Sequence, residues 1–522
     1  MKPYVSLKTI VGLLILVSLV ILFAVPVNCE AATSQAGTKA QYGGTLRISQ
    51  SAPIVCLGYP PTMGGVTDGY AADPCLETLF RYDEKLALVP RLATGWKANA
   101  SAKNITITLR KGVKFHDGSE FNAEVVKWNL DQYRASKRVE LKNVKSVDIV
   151  DPYTVRLNLS EFDNLIVGDL AGDAGRMISQ KAFETKGQEW CEKNPVGTGP
   201  FKFSSWTRDV VVKYVKNENY WQKDRPYLDG LEIVSFADMT TALLAFKKGE
   251  IDILHNPSPK DSKALETEGS YKIDQLPIGP QPFLTGDSVN ADSPFSNLKV
   301  RQAVSHAIDT QAIGKTLGQG YFRTQNQAAV PDSWAYNPKV SGYPYDPAKA
   351  KKLLSEAGYP NGFKTNLFFW GTPDRTREME AVQGYLSQVG IDAKLESMDR
   401  GRFNEMATGG GWKNGLFCAL MIAKPDVLAT IKHIVAPGSL MFRSMNRPTE
   451  YQDLFEKAIR ASDEKTKKSL THELMKMGTD KHCMANWLWV QSTIEVKSPK
   501  VHDDMYGKVP GQWLSPDAWL SK

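Results

Sequence analysis

Two hydrophobic patterns recur along this chain, one typical of strands and one typical of helices. Residues 45–48 and 105–109 alternate between apolar and polar positions, as half-buried strands do. Apolar residues at positions 350, 353, 354 and 357 form a helical stripe that Asp346 and Pro347 precede and Gly358 follows. Because Asp is a good N-cap, Pro suits the first turn and Gly commonly ends a helix, a helix is predicted between them.

Two further apolar stripes predict helices near residues 300–308 and 379–389. The first has apolar residues at positions 300, 303, 304, 307 and 308, and the second has them at 379, 382, 386 and 389 and stops at Gly390. Strand and helix patterns interleave along nearly the whole length, so the sequence predicts an α/β fold.

The N-terminal residues predict export. Lys2 and Lys8 are followed by an apolar run at residues 10–27, and small residues near position 31 offer a signal-peptidase site. We therefore assign residues 1–31 as a signal peptide and expect a periplasmic or extracytoplasmic protein. Two alternatives stay open: an uncleaved signal that anchors the chain, and lipidation of Cys29.

Composition excludes several classes of protein. The 522 residues are 42% hydrophobic and 23% charged, which is typical of a globular protein and allows about three domains. A net charge of +7 is small for this length and does not indicate a nucleic-acid partner.

The cysteines bear on disulfides and on metal binding. Without Cys29, five cysteines remain in an oxidising compartment. Connectivity cannot be deduced from sequence, and the pairs we consider are Cys56–Cys75 and Cys418–Cys483, with Cys191 as a free thiol. No spacing matches a zinc site, so no metal ligand is predicted.

Common catalytic motifs are missing from the sequence. There is no Gly-x-Ser-x-Gly pentad, and His472-Glu473 lacks the second histidine of a zinc protease. We therefore predict no catalytic residue, no enzyme activity and no cofactor. His116 and Arg301 are expected to be structural, and the Gly-Thr-Gly at residues 197–199 is expected to form a turn that needs special backbone angles.

A series of short segments, all in the same order, resembles one family. The segments are residues 42–46 (YGGTL), 76–80 (LETLF), 88–93 (LVPRLA), 96–97 (WK), 106–118 (TITLRKGVKFHDG), 196–201 (VGTGPF), 219–221 (NYW), 246–252 (FKKGEID), 299–303 (KVRQA) and 346–360. On these residues the chain resembles the extracytoplasmic solute-binding proteins of ABC transporters, family 5, which includes dipeptide-, oligopeptide- and nickel-binding proteins.

The resemblance implies a periplasmic-binding-protein-like two-lobe fold, type II, cluster C, with an extra inserted domain. Lobe I would comprise residues 43–76, 194–285 and 488–522, the inserted domain residues 77–193, and lobe II residues 286–487. Hinge strands are expected near residues 285 and 487.

The resemblance also implies a function without covalent chemistry. A small solute would be captured by hinge closure and delivered to the ABC transporter permease in the membrane, the protein acting as a monomer with no nucleic-acid partner. The expected solute is a peptide or another carboxylate-bearing compound. Alternatives within the fold are an oligosaccharide or a nickel or other metal chelate, with a contact from His433, and outside it an exported hydrolase or a chaperone.

The candidate ligand-binding residues are Tyr59, Met63, Trp370, Arg375, Trp412 and Asp426. Tyr59 and Met63 stand where relatives line the cleft. Trp370 and Trp412 flank residues 372–377 and the Gly-rich residues 409–411, where a Trp would either stack on a flat or sugar-like solute or fill the core. Arg375 would grip a ligand carboxylate, since its planar fork pairs with that group. In peptide-binding relatives an Asp holds the ligand's amino group, but in the corresponding residues 417–426 the expected position holds Ala or Met, and Asp426 is the only substitute.

Overall fold

The computed structural model describes residues 39–64, 66–276, 278–436, 439, 441–506, 508 and 516–522. The predicted signal peptide, including Cys29, lies outside these residues. Ala40–Lys522 forms one compact unit. In the ranges described, no helix has both the length and the apolar composition needed to cross a bilayer.

Strands and helices alternate along this unit. In chain order the strands are β1 Thr45–Gln50, β2 Phe80–Tyr82, β3 Leu88–Pro90, β4 Ala93–Asn99, β5 Asn104–Leu109, β6 Val144–Asp151, β7 Thr154–Leu159, β8 Phe201–Thr207, β9 Val211–Lys216, β10 Gly230–Ser235, β11 Ile253–His255, β12 Lys272–Leu276, β13 Pro280–Gly286, β14 Phe322–Thr324, β15 Phe363–Trp370, β16 Ile391–Met398, β17 Gly415–Ile422, β18 Asn486–Trp487, β19 Trp489–Gln491, β20 Thr493–Lys497, β21 Val501–His502 and β22 Trp519–Leu520.

The helices lie between these strands. In chain order they are α1 Val66–Ala72, α2 Ala123–Ala135, α3 Ile166–Asp169, α4 Gln180–Lys186, α5 Gln188–Lys193, α6 Met239–Lys247, α7 Pro259–Glu268, α8 Leu298–Ala307, α9 Thr310–Gly318, α10 Pro347–Glu356, α11 Pro373–Ser387, α12 Arg400–Glu405, α13 Val427–Val435, α14 Thr449–Ile459 and α15 Glu464–Lys476. A short 3₁₀ turn at Val139–Leu141 follows α2.

Three larger sheets organise the described residues. One has the strand order β12-β20-β11-β1-β10-β9-β8, with β1 parallel to β10 and β11. The second, β4-β5-β7-β6, is antiparallel and is packed against α2. The third has the order β16-β15-β17-β13-β18, with β15 parallel to both neighbours. We call them the seven-, four- and five-stranded sheets.

The chain passes between the seven- and five-stranded sheets twice. It leaves β12 for β13, and it returns from β18 and β19 to β20. The hinge positions predicted near residues 285 and 487 fall within β13 and β18, so the crossings lie slightly outside them. The proposed division into lobes and an inserted domain stays a prediction.

The predicted strands and helices are confirmed. In β5, Ile105, Ile107 and Leu109 are buried on one face. Asp346 caps α10 by accepting a hydrogen bond from the Lys349 amide. Apolar residues from the three predicted stripes share one core with the five-stranded sheet, among them Val300, Val304, Ala350, Leu354, Met379, Val382 and Leu386.

One buried carboxylate draws together four segments that carry the family resemblance. Glu77 Oε1 accepts hydrogen bonds from Tyr220 Oη at 2.9 Å and Arg91 Nε at 3.3 Å. Its Oε2 accepts from Thr198 Oγ1 at 2.8 Å and Trp221 Nε1 at 2.9 Å. These motifs therefore fix one another structurally, joining the strands around β2 and β3 to the loops that flank β8 and β9.

The glycines of the Gly-Thr-Gly segment are required by close approach, which corrects the expectation of special backbone angles. A Cβ at Gly197 would lie 2.1 Å from the Cys75 carbonyl oxygen, and one at Gly199 would lie 2.5 Å from that of Pro74. Neither glycine has a positive φ. Backbone packing alone therefore excludes larger side chains here.

His116 and Arg301 are structural, as predicted. His116 Nε2 lies 2.9 Å from the Gly199 carbonyl oxygen, and burial lowers the pKa of the imidazole to about 4. The Arg301 guanidinium donates to the carbonyl oxygens of Phe295 at 2.8 Å and His482 at 3.0 Å.

Candidate functional site

Tyr59 and Met63, predicted to line a cleft, lie in an apolar core. Both side chains are buried in the cluster around β1. The Tyr59 ring stacks on Phe183 with 5.4 Å between centroids, and its hydroxyl donates to Gln132 Oε1 at 3.1 Å. The Tyr59 side chain therefore contacts α2 and α4, and Met63 is buried in the same cluster.

The two predicted tryptophans differ in their surroundings. Trp412 is 3% exposed, stacks on Phe417 at 4.6 Å and donates from Nε1 to the Gly415 carbonyl oxygen at 3.1 Å. Trp370, at the end of β15, is half-buried, with the Arg400 guanidinium 4.4 Å from its ring centroid. Trp412 thus lies in the apolar core that packs against the five-stranded sheet.

Arg375 and Asp426 are both paired within the protein. The Arg375 guanidinium forms an ion pair with Glu378 on its own helix, and Glu378 Oε1 accepts from Gln491 Nε2 at 2.8 Å. Burial outweighs the nearby arginine and raises the pKa of Glu378 to about 7. Asp426 caps α13 by accepting from the Leu428 amide at 2.9 Å and pairs with Lys467.

The structure corrects the predicted disulfides, since the five cysteines within the described residues are free and buried. Cys56 Sγ lies 3.4 Å from Thr62 Oγ1, whereas Cys75 Sγ lies 3.2 Å from the Pro195 carbonyl oxygen. Cys418 lies within β17, while Cys483 lies 3.4 Å from Ser305 Oγ. Each thiol is thus packed against a different set of groups.

A polar seam that the sequence did not reveal joins the four-stranded sheet to helix α13. We define the seam by Tyr133, Arg138, Glu140, Asp163, Asp169, Asp173, Lys424, Lys432 and His433. Lys432 Nζ, on α13, lies 3.0 Å from Asp163 Oδ2 and 3.9 Å from Asp169 Oδ2. These three side chains are almost completely buried, so the ion pair is shielded from solvent.

The loop that carries Asp163 also docks onto the end of α14. The Asn164 amide donates to the Ile459 carbonyl oxygen at 2.8 Å, and its side-chain Nδ2 donates to those of Ala458 and Ala461 at 2.9 and 3.0 Å. Leu165 is buried in the apolar cluster around α13 and α14. Residues 163–165 therefore hold the two sides of the seam together.

The turn after α2 contributes Arg138 and Glu140 to the seam. Arg138 lies 3.8 Å from Glu140 Oε2 and 3.9 Å from Asp173 Oδ2, and it donates to the Met63 carbonyl oxygen at 2.8 Å. Its guanidinium lies 5.5 Å from the centroid of the Tyr133 ring. Positive and negative groups thus converge from separate elements.

Burial changes the protonation of several seam groups. Desolvation raises the pKa of Asp169 to about 7, against the lowering effect of Lys432 and Lys424. Desolvation and the charge of Lys424 lower the pKa of His433 to about 4. A neutral imidazole among cationic neighbours is a poor place for a metal cation, and the part of the chain described here has no cluster of three or more metal-ligating side chains.

Sequence reasoning missed the seam because it looked for ligand contacts at Tyr59 and Met63, after β1, and in residues 370–426. The available signal was the run of residues 161–173, in which carboxylates alternate with apolar residues. Buried carboxylates need partners, so this run could have prompted a search for a cation elsewhere.

Comparison with known proteins gives a consistent family. A model described as bacterial extracellular solute-binding proteins, family 5 Middle, matches residues 87–417. The glutathione-binding protein GsiB of Salmonella choleraesuis (strain SC-B67) is 37% identical over 346 residues, covering 64% of this chain and 66% of the relative. GsiB of Escherichia coli O157:H7 is 36% identical over 347 residues, with the same coverage. The matched region thus spans slightly less than two thirds of these relatives' length.

Solved structures show the same fold. The periplasmic binding protein DppA of Helicobacter pylori, in complex with the peptide STSA, matches with a TM-score of 0.78 and 25% identity, covering 92% of this chain and 99% of that one. NikA of Brucella suis, in complex with Fe(III)-EDTA, matches with a TM-score of 0.80 and 22% identity, covering 91% and 100%. The α/β two-lobe fold of periplasmic binding proteins is therefore shown.

Proposed function

Because the chain belongs to the family 5 bacterial extracellular solute-binding proteins, we propose that it is the exported receptor of an ABC importer for a short peptide. The two lobes close around the peptide, and the closed protein docks on a membrane permease. No step requires covalent chemistry, so the protein acts by binding, and we expect it to work as a monomer.

The observation that carries the peptide assignment is the 37% identity to proteins named as glutathione-binding. Glutathione is a small peptide with an ammonium group and two carboxylates. The polar seam supports a solute of this kind, because groups of both signs converge there from two sides of the molecule.

Closure by a solute is supported by the placement of the seam. It joins a loop of the four-stranded sheet to helices α13 and α14, whereas the chain crossings lie between β12 and β13 and between β19 and β20. A ligand that contacts both sides shifts the open-to-closed equilibrium by its greater affinity for the closed state.

Native mass spectrometry of the protein purified gently from its host tests this function. A released peptide of one copy per chain is the expected result. A thermal-shift screen follows, with glutathione, dipeptides, oligosaccharides and a nickel chelate. At 1,000 times its Kd a ligand stabilises by about 4 kcal/mol, which is easily measured.

Stabilisation by an oligosaccharide or a metal chelate alone would overturn the peptide assignment. Cleavage of the peptides during incubation would favour the hydrolase, and binding to unfolded chains alone would favour the chaperone. Replacement of an exposed residue, Lys193→Ala, serves as the control, since its pair with Glu189 is open to solvent and should not affect binding.

A further inference from the structure

The carboxylates of the polar seam have more acceptor oxygens than the neighbouring donors satisfy. Asp163 is fully engaged, because Oδ2 accepts from Lys432 Nζ and Asn143 Nδ2, each at 3.0 Å, and Oδ1 accepts from the Leu165 amide at 2.9 Å. Asp169 Oδ2, by contrast, accepts no hydrogen bond from any described residue, and Lys432 Nζ lies 3.9 Å away. An oxygen of a side chain that is only 7% exposed is thus left without a donor among the described residues.

Two further polar atoms of the seam are unpartnered among the described residues. Tyr133 is 2% exposed and its hydroxyl has no hydrogen-bond partner. Glu140 Oε2 accepts no hydrogen bond either, with Arg138 Nε at 3.8 Å. The 3₁₀ turn that carries Glu140 packs against α3, which carries Asp169. Arg138 lies 3.8 Å from Glu140 Oε2 and 5.5 Å from the centroid of the Tyr133 ring, so the three groups face a common region. Leaving buried polar groups without partners costs about 1–3 kcal/mol each, which a ligand that supplied donors would recover.

Asp173 is paired with a cation outside the seam, because Arg176 Nε lies 3.2 Å from its Oδ1. Three carboxylates, Glu140, Asp163 and Asp169, then face three cations, Arg138, Lys424 and Lys432. His433 adds no charge at neutral pH, since its pKa is lowered to about 4. The charges of the seam are therefore balanced, and an added ammonium group would be held through the unpartnered acceptor atoms.

We propose that Asp169, Glu140 and the Tyr133 hydroxyl form a subsite for a primary ammonium group of the solute. An ammonium donates three hydrogen bonds, which matches the three unpartnered acceptors. Lys432, whose own ammonium lies at the edge of the subsite, shows that this chemistry is accommodated there. The inference rests on the proposed function and names the side of the protein that holds the peptide's amino end.

The subsite also accounts for the absent carboxylate in residues 417–426. Met421 or Ala419 stands where relatives would carry an Asp, and Asp426 is used in a helix cap and an ion pair. An ammonium desolvated against those side chains would lack a counter-ion. The carboxylates of Asp169 and Glu140, on the opposite side of the seam, supply that counter-ion.

Isothermal titration with matched ligand pairs tests the subsite. Glutathione and Ala-Ala are compared with their N-acetylated forms, which keep the backbone and lose the charge. Wild type should bind the free amines roughly 100-fold more tightly. Asp169→Asn should reduce this preference to a few-fold, and Tyr133→Phe should reduce it partly. Asp209→Asn, which changes a 69% exposed carboxylate of an exposed pair, should leave it unchanged.

The affinity of wild type for the free amines should also rise with pH between 5.5 and 8. Asp169 must be ionised to hold an ammonium, and its pKa is raised to about 7 by burial. The charged groups that face Asp169 are Lys424, Lys432, Asp163 and Glu140, and the Tyr82 and Tyr133 hydroxyls also interact with it. Asp169→Asn should show a flatter profile.

Each outcome decides something. Equal binding of free and acetylated peptides by wild type would refute the subsite and leave the proposed function standing. If wild type bound none of the peptides, the proposed function would fail, and the Tm in methylammonium against tetramethylammonium chloride would still test the subsite. Selective stabilisation of wild type by methylammonium, lost in Asp169→Asn, is expected, and an equal Tm in both salts would refute it.

Discussion

Glu77→Leu should destabilise the protein strongly, because Glu77 is completely buried and satisfies four donors at once. Removing one partner of a buried ion pair costs about 3–5 kcal/mol, and among the described residues Arg91 would keep an ion pair with Asp73 alone, at 3.4 Å. The hydroxyls of Thr198 and Tyr220 and the Trp221 indole would each lose an acceptor, at about 1–3 kcal/mol per buried group. Because such terms are not additive, we expect a loss of about 5 kcal/mol in the free energy of unfolding.

Thermal unfolding followed by circular dichroism measures this loss. With an unfolding entropy of about 2 cal/mol/K per residue, 5 kcal/mol corresponds to a fall in Tm of about 5 °C for a chain of this length. Glu189→Leu makes the same substitution on an 87% exposed side chain and should change Tm by less than about 1 °C. A Glu77→Leu protein that melts with the control would show that the four hydrogen bonds do not hold these segments together.

Two further predictions concern other buried groups. Trp412→Ala should cost about 3–5 kcal/mol of stability, measured by urea unfolding, because it empties a core position against Phe417. The variant should keep the preference for free over acetylated peptides. An unchanged unfolding midpoint would contradict the core placement. Burial raises the pKa of Glu378 to about 7, above its value in the unfolded chain. The protonated carboxyl therefore contributes its full stability to the folded state below the unfolded pKa, and this contribution is lost as pH rises through 7. Glu378→Gln should therefore lose about 3 kcal/mol less stability than wild type between pH 5 and pH 8, and identical pH profiles would refute the shift.

The fold was largely predictable from local patterns. The stripe that ends at Gly358 became α10 with Asp346 as its cap, and the alternation at residues 105–109 became β5. These elements depend on residues close together in sequence, so their signals survive without tertiary information. The glycines at positions 197 and 199 were assigned to the wrong cause, since a contact with residues 74 and 75 cannot be read from a turn-like sequence.

The candidate site was much harder to predict. Lys432 and Asp163 are 269 residues apart in sequence, and nothing in the helical pattern of α13 indicates which of its polar residues would be buried. Trp412 was expected to stack on a solute because it follows three glycines. Packing decides its place instead, since its ring stacks on Phe417 and its amide donates to Ser444 Oγ, 32 residues away in sequence. Residue type alone does not show which face of an element meets which partner.

Docking of Asn164 on the end of α14 has a consequence for how the receptor evolves. Its hydrogen bonds to Ala458, Ile459 and Ala461 join the two sides at a place that contributes no group to the ammonium subsite. A substitution there changes the fraction of protein that is competent to bind, and the apparent Kd of every solute changes by the same factor. The affinity for all solutes can thus be changed at Asn164, by evolution or by design, while the relative affinities for different solutes stay the same.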